Sequence, residues 1–197
     1  GYRTVCVGLC CYHHYMVYVA LLRGVNVGGN SRVEMPKLKL VFEKIGFEKV
    51  KTYINSGNVI FETVKQAEST LADRLEETIE ETFGFKVDVI VRSQTYIKQI
   101  LDQLPRDWLN NENMRCDVMF LWEDIHDPHI LNELMIKPDI EDVKYVSGAI
   151  IWRIDRKNAA KSGALKIIGT PLYKKMTIRN CNTVHKLYSM MTEANTI

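Results

Sequence analysis

The sequence predicts an α+β protein built from two tandem ferredoxin-like subdomains, each an alpha-beta plait with the element order βαββαβ. Three observations predict this fold. β-rich runs and helical patterns alternate in that order in the first half, the second half repeats the order, and each half has about 90 residues, the size of one such unit. An apolar fraction of 46% and a net charge of +2 exclude an intrinsically disordered chain.

Residues 1–15 have a composition unlike that of the rest of the chain. They hold three of the five cysteines and two of the five histidines without helical or strand periodicity, and a strand pattern opens at Met16. We therefore expect a leader that is foreign to the folded protein, with the natural start at Met16. Zinc binding by these side chains is the alternative, but the segment lacks the C-x-x-C spacing of zinc sites.

Five segments predict the elements of the first subdomain. Residues 17–22 form a short, apolar, β-rich run that ends near a glycine, as a buried strand does. Residues 36–45 start with proline and repeat apolar side chains at helical spacing, and residues 71–83 do so at four-residue intervals before a glycine. Two β-rich runs in residues 50–61 flank an Asn/Gly turn, and residues 86–91 close the unit as a strand.

A helical connector and a second pass of the same pattern follow. Ser93 can cap the connector helix, which ends before Pro105. The turn Ser147-Gly148 corresponds to the turn of the first hairpin, so we expect an internal duplication. The predicted elements are a strand at 117–122, a helix from Pro128, hairpin strands at 143–146 and 150–154, a short helix at 161–168, a strand at 176–178 and a helix from Thr183. The predicted boundaries are 1–15 for the leader, 16–92 for the first subdomain, 93–115 for the connector and 116–197 for the second subdomain with its C-terminal helix.

The predicted topology brings two polar loops to one edge of the first sheet. The first two strands of a βαββαβ unit run parallel, so their carboxyl ends share an edge. Glycines let backbone amides approach a ligand, and Arg and Asn side chains donate hydrogen bonds to phosphate or carboxylate. The candidate ligand-binding residues in these two loops are Arg23, Asn26, Gly28, Gly29, Asn55, Ser56 and Asn58. The alternative is that the glycines only permit positive φ and that the turn only joins two strands.

A third polar motif, residues 177–183, precedes the last helix. Asn182 or Thr183 would cap this helix, and the free amides of its first turn beside Arg179 would form an anion site. Arg179, Asn180 and Asn182 are therefore also candidates for ligand binding. The alternative is that Arg179 pairs with a nearby carboxylate while the asparagines only cap the helix.

Other clusters of reactive side chains carry weaker signals. Residues 124–129 combine two carboxylates with two imidazoles, but Asp127-Pro128 is an ordinary helix start, so we predict a capping turn and no metal site. The Gly-rich loop is neither a Walker loop nor a dinucleotide fingerprint, because the G-K-[ST] and G-x-G-x-x-G patterns are absent. No Ser-His-Asp or Cys-His arrangement stands out, and the sequence indicates no particular cofactor.

The motifs at residues 21–29, 46–47, 52–61 and 177–183 together resemble the bacterial family of domains of unknown function numbered 1697. The resemblance covers residues 16–191 and implies two ferredoxin-like subdomains in tandem. It implies no established activity, so no catalytic residue is transferred from it. Cys181 departs from the family pattern, which usually has tryptophan between the two asparagines of the last motif.

These observations predict a cytoplasmic protein that binds a small anionic ligand, such as a nucleotide-like molecule, in a cleft between the polar loops. Cys116 and Cys181 show no motif spacing, which favours a reducing compartment over a disulfide framework. The longest strongly apolar stretch, residues 17–22, is too short to cross a membrane. One alternative is single-stranded nucleic-acid binding, which the small net charge and the lack of an aromatic ladder at 58–62 disfavour. The other is a regulatory or oligomerisation module, and the oligomeric state is left open.

Overall fold

Eight strands form two four-stranded antiparallel sheets in residues 14–194, the part of the chain that the structure, a computed structural model, describes. The first sheet has the order β2-β3-β1-β4 and contains β1 (Tyr15–Leu22), β2 (Glu48–Tyr53), β3 (Asn58–Val64) and β4 (Val89–Ser93). The second has the order β6-β7-β5-β8 and contains β5 (Met114–Leu121), β6 (Glu141–Val146), β7 (Ala149–Asp155) and β8 (Met176–Asn180). The predicted α+β class with two successive units is confirmed.

Four α-helices flank the sheets within the described residues. They are α1 (Met35–Ile45), α2 (Glu68–Phe83), α3 (Gln94–Gln103) and α4 (Cys181–Ala194). Pro36 lies in the first turn of α1, where a missing amide costs nothing, and Ser93 caps α3 by accepting a 3.2 Å hydrogen bond from the Tyr96 amide. Both features are as predicted. None of the helices over residues 14–194 is long and apolar enough to cross a membrane.

The connections of the second sheet differ from the prediction. Instead of helices from Pro128 and at 161–168, the chain forms short 3-10 helices, namely Pro128–Glu133, Arg156–Lys161, Ala164–Ile167 and Leu172–Lys175. Met135, at φ +50°, ends the first segment. In the second segment the Ser162 hydroxyl and the Gly163 amide donate hydrogen bonds to the carboxylate of Glu141, which holds the backbone out of a continuous helix.

Three apolar clusters hold these layers together. The first lies between the first sheet and helices α1 and α2, the second lies between the two sheets around α3 and α4, and the third lies under the 3-10 helices of the second sheet. Strand β1 contributes alternate side chains to the first two clusters, so it is buried on both faces. The middle cluster therefore joins the two sheets into one packed body.

The start of β1 bears on the predicted leader. Residues 1–13 lie outside the described residues. Tyr15 pairs with Val64, and the Lys65 amide donates a 2.7 Å hydrogen bond to the carbonyl of His14. The sheet therefore begins one residue before the predicted start at Met16.

Gly163 is packed so closely that alanine cannot replace it without movement. Its φ of −79° suits any residue, but an added Cβ would overlap the backbone carbonyl of Met135. We expect Gly163→Ala to lower the free energy of unfolding by about 2 to 4 kcal/mol, measured by urea denaturation. Gly169→Ala is the control, because its added Cβ meets open space and only the φ of +85° is unfavourable. A loss for Gly163→Ala no larger than that for Gly169→Ala, about 1 kcal/mol, would contradict the packing argument.

Candidate functional site

The loop after β1 is tied to the β2–β3 turn by one asparagine. The Oδ1 atom of Asn26 accepts a 2.9 Å hydrogen bond from the Val33 amide, and its Nδ2 atom donates to the carbonyls of Val33 at 2.9 Å and Asn55 at 2.7 Å. Asn26 adopts a left-handed conformation with φ of +57°, which asparagine tolerates better than most residues. The two loops therefore lie side by side at one edge of the first sheet, as the topology predicts, and Asn26 uses its polar atoms to hold them there.

Asn58 occupies the centre of this edge and is fully buried. Its Nδ2 atom donates to the carbonyl of Tyr53 at 3.0 Å and to the Ser56 hydroxyl at 2.9 Å, which closes the turn. Its Oδ1 atom accepts a 2.6 Å hydrogen bond from Nε of Arg179, which belongs to the second sheet. Asn58 therefore links the turn to the other half of the molecule and leaves no donor or acceptor exposed.

Arg179 extends from β8 into the first half and is buried, with 8% of its surface exposed. Besides Asn58, its guanidinium donates to the Thr177 hydroxyl at 2.9 Å and to the carbonyls of Leu22 at 2.8 Å and Ser56 at 3.0 Å. All these acceptors are neutral, and no carboxylate within residues 14–194 pairs with it. Burial lowers the pKa of Arg179 to about 10, so the group stays charged at neutral pH.

Arg23 makes the opposite crossing, from the first half to the second. Its Nε atom donates to the carbonyl of Met176 at 3.0 Å, Nη2 donates to the carbonyl of Tyr173 at 3.1 Å, and the guanidinium lies 5.1 Å from the centroid of the Tyr173 ring. Its Nη1 atom makes no hydrogen bond within the described part of the chain. Like Arg179, Arg23 has only neutral acceptors.

Arg23 and Arg179 line one cleft of about 390 Å³, which we call the two-arginine cleft. Its walls come from the first-strand loop, the β2–β3 turn and the approach to β8, and the lining contains no acidic residue. The other lining residues are Leu22, Gly24, Val25, Val27, Ser56, Tyr173, Met176, Thr177 and Ile178. The positive charge of the cleft is therefore not compensated within its own walls.

The remaining loop candidates line a separate depression of about 400 Å³, which we call the loop pocket. Asn26, Gly29 and Asn55 contribute to it, together with the exposed Arg32 and with Glu34. Gly28 and Gly29 both adopt positive φ, as the alternative interpretation of these glycines expects. The predicted residues of the two loops are thus divided between these two places, except Gly28 and Asn58, which line neither, and Ser56 is the turn residue that reaches the cleft.

Asn180 and Asn182 lie at the start of α4 and line neither place. Oδ1 of Asn180 accepts a 2.9 Å hydrogen bond from the Thr183 amide, so Asn180 caps the helix. The prediction that Asn182 or Thr183 is the cap is wrong, because α4 begins two residues earlier, at Cys181. The Nδ2 atom of Asn182 instead donates to the carbonyl of Asn110 at 2.8 Å.

Arg92 occupies the position in the first sheet that Arg179 has in the second, although it is not among the residues predicted from the sequence. Val19 pairs with Arg92 between β1 and β4, as Val118 pairs with Arg179 between β5 and β8. Nη2 of Arg92 donates to the carbonyl of Leu121 at 3.0 Å, at the end of β5, so each arginine binds the end of the other half's first strand. The signal was available, because Val91-Arg92-Ser93 and Ile178-Arg179-Asn180 both place arginine before a helix cap.

The cleft at Arg92 differs in charge from the two-arginine cleft. It measures about 200 Å³, and its lining includes Glu68, Glu76 and Glu123. Glu68 lies 3.3 Å from Nη1 of Arg92, while Nε of Arg92 is buried without a hydrogen-bond partner. Burial raises the pKa of Glu68, and Arg92 offsets part of that rise. The structure thus contains one cleft with uncompensated positive charge and one with acidic walls.

The Asp/His segment 124–129 forms the predicted capping turn. Oδ1 of Asp127 accepts hydrogen bonds from the backbone amide of His129 at 2.9 Å and lies 2.8 Å from the Nδ1 atom of the same residue. Lys175 pairs with Asp124 at 2.6 Å. Within residues 14–194, no three His, Cys, Asp or Glu side chains are grouped so that they could hold a metal ion.

Comparison with known proteins identifies a family and a similar solved structure. A family model described as "Protein of unknown function (DUF1697)" matches residues 16–152, which confirms the resemblance drawn from the motifs. The solved structure of the conserved bacterial protein SP0830 from Streptococcus pneumoniae is similar, with a TM-score of 0.78 and 27% sequence identity, over 90% of this chain and 99% of that one. No curated protein matches the chain.

Proposed function

This chain belongs to the DUF1697 family, whose function is unknown, and from that premise we propose that it binds a small anionic ligand in the two-arginine cleft. One observation carries the proposal. Two guanidinium groups line a single cleft of about 390 Å³, and neither has a carboxylate partner in the described residues. A phosphate or carboxylate group is the ligand that such a cleft favours.

The electrostatic cost of the two arginines supports this assignment. A buried charge that only neutral carbonyls solvate is less stable than one paired with an anion, because burial removes its hydration. Arg179 is fully engaged, so it contributes its positive field to the cleft. Arg23 is half-buried and keeps Nη1 available, so it is the residue that donates directly to the ligand.

The apolar part of the cleft bears on the class of ligand. Tyr173 presents a ring beside Arg23, and Val27, 65% exposed, lies at the margin. A ligand with an anionic group and an apolar or planar body, such as a nucleotide or an aromatic acid, suits this combination. The adjoining loop pocket, with Gly29 and Asn55, would take the remainder of a larger ligand.

The similarity between the two halves of the molecule supports a finer description of the fold. We infer that each sheet with its connections is a ferredoxin-like unit and that the halves arose by duplication, with boundaries at 16–92 and 116–197. The identical strand order, the matching positions of Arg92 and Arg179, and the Leu22–Gly57 and Leu121–Gly148 backbone hydrogen bonds at equivalent turns support this inference.

Replacement of Arg23 tests the proposed function. We expect inorganic pyrophosphate or adenosine monophosphate to raise the Tm of the protein, because a ligand that binds only the folded state stabilises it. Arg23→Gln removes one charge-assisted hydrogen bond, so the Kd measured by titration calorimetry should rise about 10- to 100-fold. Arg32→Gln is the matched control with pyrophosphate, because Arg32 lines the loop pocket and not the cleft, and it should change the Kd of pyrophosphate by less than about twofold.

Three outcomes would contradict the proposal. The first is a folded protein whose Tm neither pyrophosphate nor adenosine monophosphate changes at constant ionic strength. The second is binding that Arg23→Gln leaves intact, and the third is binding that depends on Arg32 instead of Arg23. Steeply salt-dependent binding of a single-stranded RNA, without binding of the small anions, would favour the nucleic-acid alternative.

A further inference from the structure

We propose that Cys116 and Cys181 form an oxidation site whose two thiols close to a disulfide when the protein meets hydrogen peroxide or an organic hydroperoxide. The two residues are far apart in sequence and without motif spacing, so the sequence alone predicts no pairing between them. The fold places them together between the two sheets. Both are free thiols in the structure.

The strand register brings the two cysteines next to each other. Asp117 of β5 pairs with Asn180, the last residue of β8, so Cys116 and Cys181, the first residue of α4, are the next residues beyond this pair. Paired strand residues have Cα atoms about 4.5 to 5.5 Å apart, so the positions next to the pair lie close to the range of about 4.4 to 6.8 Å that a disulfide bridges. Both side chains belong to the buried cluster between the sheets, so they lie on the same face.

The two thiols have different chemical roles. Proximity to Cys181 and burial raise the pKa of the Cys116 thiol, whereas proximity to Cys116 lowers the pKa of Cys181 against the opposing effect of burial. Cys181 is the first residue of α4, where the positive end of the helix also favours a thiolate. Cys181 is therefore the attacking thiol and Cys116 the resolving thiol.

The reaction balances with peroxide as the oxidant. The thiolate of Cys181 attacks one peroxide oxygen and breaks the O–O bond, which gives a sulfenic acid and, after protonation of the leaving group, one water from hydrogen peroxide or one alcohol from an organic hydroperoxide. The sulfur of Cys116 then attacks the sulfur of Cys181, loses its proton and displaces the sulfenic oxygen as water. Two thiols lose two electrons, and the peroxide gains them.

A thin polar cover lies over Cys181. Its sulfur is 3.9 Å from the side-chain oxygen of Asn182, which is exposed, and Asn182 makes a 2.8 Å hydrogen bond to the carbonyl of Asn110. Opening this contact would let a small peroxide reach the thiol without unfolding the core. The disulfide would fix the start of α4 two residues after Arg179, next to the two-arginine cleft.

The experiment uses the full chain with Cys6, Cys10 and Cys11 replaced by serine, so that only the two buried cysteines react. After a brief exposure to a small molar excess of hydrogen peroxide, followed by alkylation and non-reducing proteolysis, mass spectrometry should find peptides linked through Cys116 and Cys181. Cys116→Ser should leave a sulfenic acid at Cys181 that dimedone traps, whereas Cys181→Ser should abolish the reaction.

Two results would overturn the proposal. The first is a folded protein that forms no linked peptide while the urea-unfolded chain, treated in parallel, does form it. The second is a Cys181→Ser protein, folded by circular dichroism, that consumes peroxide at the parent rate. Cys181→Ala provides the same comparison if serine disturbs folding. Because the readout is covalent, its failure leaves the proposed anion binding untouched.

Discussion

Arg179→Ala is expected to lower the free energy of unfolding by about 3 to 5 kcal/mol. The side chain is buried and donates to Leu22 and Ser56 at the end of the first sheet and to Asn58 between them. Alanine would leave several buried acceptors without donors, and each such loss costs about 1 to 3 kcal/mol. Urea denaturation followed by circular dichroism measures the change, which should move the midpoint and leave the slope unaltered.

Two further variants separate the hydrogen bonds from the charge. Arg179→Lys keeps the charge but replaces the five-donor fork by one ammonium, so it should recover less than half of the lost stability. In a double-mutant cycle, Asn58→Ala and Arg179→Ala should lose less together than the sum of the single losses, because they share a hydrogen bond of 2.6 Å. The matched control is Arg106→Ala, an exposed arginine, with an effect within about 0.5 kcal/mol. Additive effects, or a loss like that of Arg106→Ala, would show that Arg179 does not tie the halves together.

The two interface arginines explain why the halves are alike but not equivalent. Asn58 is the first residue of β3 and accepts a hydrogen bond from Nε of Arg179. Ala149 is the first residue of β7, and its methyl group cannot accept a hydrogen bond from Arg92. The Nε atom of Arg92 accordingly lacks a partner, and Glu68 supplies the compensating charge from α2. The neutral amide of Asn58 binds Arg179, whereas the carboxylate of Glu68 pairs with Arg92. The positive charge therefore stays uncompensated at Arg179.

Much of the fold could be predicted because its signals are local. The apolar run of β1, Pro36 in the first turn of α1 and Ser93 at the start of α3 each act within a few residues. The 3-10 helices between β7 and β8 could not be predicted in this way. There the tertiary contacts of Ser162 and Gly163 with a distant carboxylate override the weak helical spacing.

The site was harder to predict than the fold, because the sequence shows which groups are present and not which partners satisfy them. Asn26, Asn58 and Arg179 carry the residue types of an anion site, yet each uses its polar atoms to hold the loops and sheets together. Tyr173 and Cys116 had no sequence signal, because their partners come from other elements. Only the contacts between the two halves show that Arg23 keeps one donor, Nη1, available for a ligand.

Glu141→Gln should lower the free energy of unfolding about as much as Arg179→Ala does, by about 3 to 5 kcal/mol. Glu141 is 1% exposed and accepts five hydrogen bonds. The donors are the amides of Lys137, Gly163 and Ala164 to Oε1, and the Trp152 indole and Ser162 hydroxyl to Oε2. A carboxamide has the same shape, but its NH₂ group would face donors at either position. Glu133→Gln is the control, because this exposed residue should change stability by less than about 0.5 kcal/mol.

Glu141 should also make the free energy of unfolding depend on pH. Burial alone would raise the pKa of Glu141, but hydrogen bonds from Ser162, the Lys137 amide and Trp152 hold it below the ordinary 4.5. A group whose pKa is lower in the folded state contributes its stability above the unfolded pKa and loses it as the pH falls through the folded pKa. The free energy of unfolding should therefore fall more steeply below about pH 4.5 in the parent than in Glu141→Gln, so the two curves should converge. Parallel curves between pH 7 and pH 3 would mean that the pKa of Glu141 is the same in the folded and the unfolded protein, and a parent that loses stability relative to Glu141→Gln as the pH rises above about 4.5 would mean that Glu141 is protonated in the folded protein.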